Sequence, residues 1–143
     1  MAEAKTWVLT DQATRVWVDS IEIGPDDLGL ADEGWSIRKT TLRGGPCDGV
    51  DIIEVDNGAL SFSVLPTRGM GIWKGAYKGL DLAWNSPVKG PVHPSLIDLQ
   101  DRGGLGWLAG FDEVVVRCGL DSMGAVSYTH LRAHETREDR GWR

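Results

Sequence analysis

A mainly β, antiparallel β-sandwich with little helix is predicted by three features of this sequence. Short runs of β-branched and aromatic residues alternate apolar with polar positions, turn-forming pairs separate the runs, and the 19 glycines gather at those turns. From Trp35 the elements follow in order. WSIRKTTLR (35–43) alternates and stops at Gly44-Gly45-Pro46. VDIIEV (50–55) ends at Asp56-Asn57-Gly58, a hairpin signal, and ALSFSVLP (59–66) follows with Leu60, Phe62 and Val64 on one face. GIWKGAY (71–77) turns at Lys78-Gly79 into LDLAWN (80–85), which predicts a second hairpin. The stretch from Ser86 to Asp101 contains Pro87, Pro91 and Pro94 and reads as loop. LGWLAGF (105–111) suggests one or two helical turns, and EVVVRC (113–118) a short buried strand. Before Trp35, WVLTDQATRVWVDSIEI fits a strand or a helix followed by a linker rich in Asp and Gly, and the pattern does not choose between them.

Composition narrows the function classes. The formal charge is −6 with no dense Lys or Arg run, so a nucleic acid partner is not expected. No apolar stretch approaches the roughly 20 residues of a membrane-spanning helix. The start, MAEAKTWVLTDQ, lacks the layout of a signal peptide, and the expectation is a cytoplasmic protein without a membrane partner. Cys47 and Cys118 are far apart and outside any metal-ligand spacing, which predicts two buried free thiols and neither a zinc site nor a disulfide.

The last 18 residues break the pattern. VSYTHLRAHET (126–136) can be written in codons that spell the end of a transposase-type sequencing adapter, and HLRAHETREDRGWR (130–143) has no apolar periodicity. The expected organisation is therefore 1–125 as the N-terminal part of a sandwich domain and 126–143 as a non-native tail. The tail takes His130 and His134 with it, whose i, i+4 spacing would otherwise suggest a metal pair. It holds four Arg against two Glu and one Asp, so residues 1–125 carry −7. The strand series then stops just after EVVVRCGLD, leaving edges that need partners.

Three blocks together carry a resemblance: VLPTRGMGIWKGAYKGLDLAWNSP (64–87), GGLGWLAGF (103–111) and CGLDSMGA (118–125). Spanning about residues 35–125, they resemble the aldose 1-epimerase (galactose mutarotase) superfamily, in the branch that carries a domain of unknown function. That branch usually has Asp where Gly71 stands here, and continues GAP after the CGLD block. The resemblance implies a large antiparallel sandwich that binds a monosaccharide or sugar derivative in a cleft and interconverts its anomers without a cofactor. Such chemistry needs a base at the anomeric hydroxyl and an acid at the ring oxygen. The superfamily's Glu and His for these roles come from sequence beyond the CGLD block. The chain as given is thus expected to lack the acid/base pair and to be inactive, and a non-catalytic sugar-binding module on the same fold is the alternative.

Five residues are candidates for the sugar site. Arg68, before a glycine that permits close backbone approach, could fork hydrogen bonds to hydroxyls, a carboxylate or a phosphate, or could form a structural ion pair at a strand end. Trp84 and Trp107, more than Trp73, could stack on a sugar ring, although alternating tryptophans are also core residues. His93 sits in the loop PVHPS, where binding residues tend to be found. Asp121 could accept from a hydroxyl or cap a turn. Acid pairs such as Asp26-Asp27 and Asp32-Glu33 read as solvated loop charges. The tail assignment has a direct consequence: deleting residues 126–143 is expected to leave the thermal midpoint unchanged, and a clear drop in a calorimetric scan would mean that the segment packs against the domain.

Overall fold

The computed structural model describes residues 4–30 and 34–116. Within them the chain is mainly β with little helix, as expected, and its strands form antiparallel sheets. A small ribbon pairs β1 (Thr10–Asp11) with β2 (Val16–Trp17). Its turn is built by Asp11, whose Oδ1 accepts from the Ala13 N–H at 2.9 Å and whose Oδ2 accepts from Thr14 Oγ1 at 2.6 Å. The main sheet then runs as a meander of β3 (Ile21–Ile23), β4 (Ser36–Thr41), β5 (Asp51–Asp56), β6 (Leu60–Leu65), β7 (Gly71–Tyr77) and β8 (Leu80–Leu82). Each strand pairs antiparallel with the next, so both expected hairpins form. In the first, Asn57 Oδ1 accepts from the N–H groups of Ala59 and Leu60, and the Asn57 N–H donates to the Leu60 carbonyl. In the second, Lys78 and Gly79 both take left-handed φ, the pairing of conformations a two-residue turn demands.

Register gives the sheet two different faces, because directly paired residues point the same way. Ile21, Lys39, Ile53, Val64 and Ile72 form one row across five strands, and Ile23, Ile37, Val55, Phe62, Gly75 and Leu82 form the next. These rows confirm that Phe62 and Val64 share a face. The rows pointing the other way are polar, as in Glu22, Arg38, Glu54, Ser63 and Lys74. Lys39 is the one charge in the apolar rows. It is 2% exposed, and its ammonium is met by Asp51 Oδ2 at 3.1 Å and the Val18 carbonyl at 2.6 Å.

Toward one end of the polar face the character changes. Val50, Ile52 and Leu65 are fully or almost fully buried there, packed with Leu42 and Trp73. Trp73 reaches this cluster because of a β-bulge: Ser63 pairs with Lys74 but Val64 pairs with Ile72, leaving Trp73 as the extra residue. LDLAWN is strand only over Leu80–Leu82, and from Trp84 to Phe111 the chain is loop with short helical turns at Pro94–Leu96, Asp101–Gly104 and Gly106–Gly110, of which the sequence suggests the last.

Two expectations need correction. EVVVRC is not a buried strand: over its described residues only Val115 bridges to Ile72, and Val114, Val115 and Val116 are 42%, 49% and 40% exposed. A single bridge at the sheet rim gives these valines no facing layer among the described residues. Cys47 is half-buried rather than buried, because it lies in a surface turn where its Sγ is 3.1 Å from the Gly44 carbonyl oxygen. Cys118, Asp121, His130, His134 and the whole 126–143 segment lie outside the described residues.

The sheet makes one glycine indispensable. A Cβ at Gly75 would sit 2.7 Å from the Ser61 carbonyl oxygen and 3.3 Å from Phe62 Cβ, both in the neighbouring strand. Gly75→Ala is expected to lower stability by about 1–3 kcal/mol through overpacking, read as a shift in the urea midpoint at constant slope.

Candidate functional site

Arg68 is placed by the way β6 ends. After Leu65, Pro66–Arg68 forms a single 3-10 turn, and Gly69 and Met70 both take left-handed φ so that the chain can re-enter the sheet as β7. Thr67 anchors this turn to β5, its Oγ1 accepting from the Asp51 N–H at 2.9 Å. The Arg68 side chain, 11% exposed, then points into the long loop. Its Nε donates to Glu113 Oε1 and its Nη2 to Glu113 Oε2 at 3.2 Å, a bidentate pair. Nη1 donates to the Val92 carbonyl at 2.7 Å and Nη2 to the Gly110 carbonyl at 2.7 Å.

Glu113 is 2% exposed at its side chain. Burial alone would push its carboxyl up. The Arg68 hydrogen bonds, the backbone N–H groups of Asp112 and Glu113 and the Arg68 charge outweigh burial and hold it below the ordinary value of 4.5. Its neighbour Asp112 faces the other way and accepts from Trp73 Nε1 at 2.8 Å. The two adjacent acids therefore serve different sides: Glu113 fixes Arg68 and Asp112 fixes the bulge tryptophan.

The loop closes over these groups because two glycines let it. A Cβ on Gly106 would lie 1.7 Å from the Asp98 carbonyl oxygen, and one on Gly110 2.1 Å from Ile97 Cδ1. Ser86, 3% exposed, ties the loop start to its end by donating to the Phe111 carbonyl at 2.8 Å. The result is a recess of about 270 Å³ with the Arg68–Glu113 pair on one wall and Ile97, Leu99, Trp107 and Phe111 on the others. Trp107 meets Phe111 edge-on at 5.2 Å, and Phe111 also contacts Trp84 at 5.5 Å.

The structure thus brings Arg68 and Trp107 into one recess and links Trp84 to it through Phe111. Trp84 itself lines a neighbouring recess with Trp73. His93 stands beside this group in sequence, but its Nδ1 is 2.7 Å from Ser95 Oγ and also accepts from the Ser95 N–H, while its ring packs on Gly49. Glu113, Asp112 and Phe111 went unread in the sequence. The signal was the acid pair placed directly after GGLGWLAGF, 45 residues from Arg68. Among the described residues no group of three or more His, Cys, Asp or Glu could hold a metal ion. No described helix is long and apolar enough to cross a membrane.

Comparison with known proteins gives the fold a relative. The family model described as Domain of unknown function (DUF4432) matches residues 47–136, a span that continues past Ala125 into the tail segment. A crystal structure of a Klebsiella pneumoniae protein, provisionally assigned as an aldose 1-epimerase, is 38% identical, with a TM-score of 0.72. The similarity covers 76% of this chain and 29% of that one, so the chain spans under a third of its structural relative. No curated protein matches the chain.

The geometry sets a pH dependence. Because the Glu113 carboxyl is lowered in the folded state, its stabilising contribution is complete above its unfolded value and is lost as pH falls through the folded value. Stability should therefore decline below about pH 4.5. In Glu113→Gln that part of the decline should be missing, with lower stability at neutral pH, as followed by urea unfolding between pH 7 and pH 3. An unchanged acid profile in the variant would show that other carboxylates dominate.

Proposed function

Since the chain belongs to the DUF4432 family, within the aldose 1-epimerase-like superfamily, we propose that it forms part of a carbohydrate-binding protein of the epimerase type. The full-length protein would interconvert the anomers of a monosaccharide or sugar derivative by general acid/base catalysis. The observation that carries the proposal is the recess beside Arg68. A half-exposed indole, Trp107, faces a wall of buried, fixed hydrogen-bonding groups, which suits a ring with one apolar face and a hydroxyl-bearing edge.

Arg68 works in this reading as a shaped, neutralised wall. Its fork is committed to Glu113, Val92 and Gly110, so its contribution is to hold the recess open and polar on one side. Trp107 is the contacting residue, with Trp84 stacking from the adjoining recess. His93 is assigned to the rim, as its loop position beside Val92 supports, and Asp121 lies outside the described residues. The engagement of every Arg68 branch also favours the second reading, a sugar-binding module without catalysis.

No mutarotation above the buffer rate is expected from the 143-residue chain, measured by polarimetry with several aldoses. His93, the one histidine among the described residues, has its Nδ1 occupied by Ser95 rather than by a carboxylate. Binding is the more informative readout. Trp107→Ala is expected to weaken sugar affinity about tenfold or more, on the order of 1–3 kcal/mol for lost ring stacking, with little change in melting temperature. Arg68→Ala should instead cost about 3–5 kcal/mol of stability, since it leaves Glu113 buried and unpaired. A Trp107 variant that binds sugar as tightly as the parent would remove the assignment of this recess.

A further inference from the structure

Phe111 touches two tryptophans, and the recess on the Trp84 side has its own chemistry. It measures about 280 Å³ and is lined by Trp73, Lys74, Trp84, Asn85, Lys89 and Asp112 among others. We propose that this recess is a second binding site, for a sugar that carries one anionic group, a carboxylate or a phosphate.

The aromatic platform is rigid. Trp73 is fixed by its Nε1 bond to Asp112, and Trp84, 43% exposed, is backed by Phe111. Two indoles held in this way offer stacking area to a pyranose ring with little further loss of side-chain freedom. The cations are positioned as well. Lys74 Nζ lies 4.2 Å from the centroid of the Trp73 ring, which keeps the ammonium at the wall of the recess. Lys89 Nζ donates to Asn85 Oδ1 at 3.1 Å and to the Ser86 carbonyl at 2.9 Å. An ammonium has three donors, so one of them remains for a ligand.

The charges define the ligand class. Lys74 and Lys89 against Asp112 leave the recess with one net positive charge in a chain whose formal charge is −6. One carboxylate or phosphate balances it. The Arg68 recess differs in this respect, because there Glu113 already neutralises the guanidinium. The second site shares Trp84 with the function proposed for the first, and Lys89 and Trp107 tell the two apart.

The test is a calorimetric titration of the 143-residue protein with glucuronate, glucose 6-phosphate, glucose and inorganic phosphate at low salt, supported by tryptophan emission. At least one of the two anionic sugars is expected to bind about tenfold or more tightly than glucose or phosphate, since a charge-assisted hydrogen bond adds at least that much. The tighter of the two identifies the anionic group. Affinity should fall several-fold at about 0.5 M salt, because both ammoniums face solvent. Lys89→Ala and Lys89→Gln should each weaken binding about tenfold, and Trp84→Ala should abolish it, while Trp107→Ala leaves it unchanged. Circular dichroism checks that these surface variants keep the fold. The proposal is overturned by equal affinity for glucose, by indifference to Lys89, by loss of binding in Trp107→Ala, or by no binding of either anionic sugar.

Discussion

One buried guanidinium organises everything on the loop side of the sheet. Arg68 leaves the end of β6 and must satisfy its donors where water does not reach, because an unpaired buried charge is far costlier than any hydrogen bond gained. The partners it finds are separated widely along the chain: Val92, Gly110 and Glu113. Satisfying Arg68 therefore fixes the path of the whole segment from Val92 to Glu113. That path is tight enough to require no side chain at Gly106 or Gly110, and it delivers Trp107 and Phe111 to the same recess. The glycine-tryptophan block reads in this light as the geometric complement of Arg68.

The sheet meets a different demand. Its apolar rows are only partly covered among the described residues, with Tyr77, Leu80 and Leu82 45%, 69% and 46% exposed toward the β8 edge. A face of this kind is what a second layer of a sandwich covers, in keeping with a chain that corresponds to less than a third of its structural relative. Lys39 shows how strictly the register holds. Alternation places a lysine in an apolar row, and the fold responds by supplying Asp51 and the Val18 carbonyl rather than by slipping one residue, which would turn every side chain over. Thr41 Oγ1 donates to the same Asp51 carboxylate, and the Asp51 N–H holds Thr67 beside Arg68. Sheet register and loop geometry are thus joined through one residue.

What could be read in the sequence follows from the range of each interaction. Both hairpins were legible, since Asp56-Asn57-Gly58 and Lys78-Gly79 determine pairing within a few residues. The short helical turn over Gly106–Gly110 and the loop before it were legible for the same reason. The partner of Arg68 was not, because 45 residues intervene and nothing local to Glu113 marks it as buried. Apolar character misled at Val114 to Val116: their hydrophobicity is a local fact, whereas burial depends on what lies opposite. Of the five candidate residues, Arg68 and Trp107 line one recess, and no local pattern showed that Phe111 divides Trp107 from Trp84.

Gly71 ties these points to the family. It is buried, and a Cβ there would lie 3.2 Å from Glu113 Cγ and 3.4 Å from the Val115 carbonyl oxygen. Family resemblance leads one to expect Asp at this position. An aspartate would place a second carboxylate against Glu113, next to a single guanidinium, since Asp112 faces Trp73. Like charges so close raise one another's proton affinity, so the acids would have to share Arg68 or one would hold a proton. With glycine instead, Glu113 keeps both of its oxygens on Arg68, and the carboxylate stays ionised despite its burial. With no side chain at position 71, the Arg68–Glu113 pair stands as a closed, neutral unit in this chain.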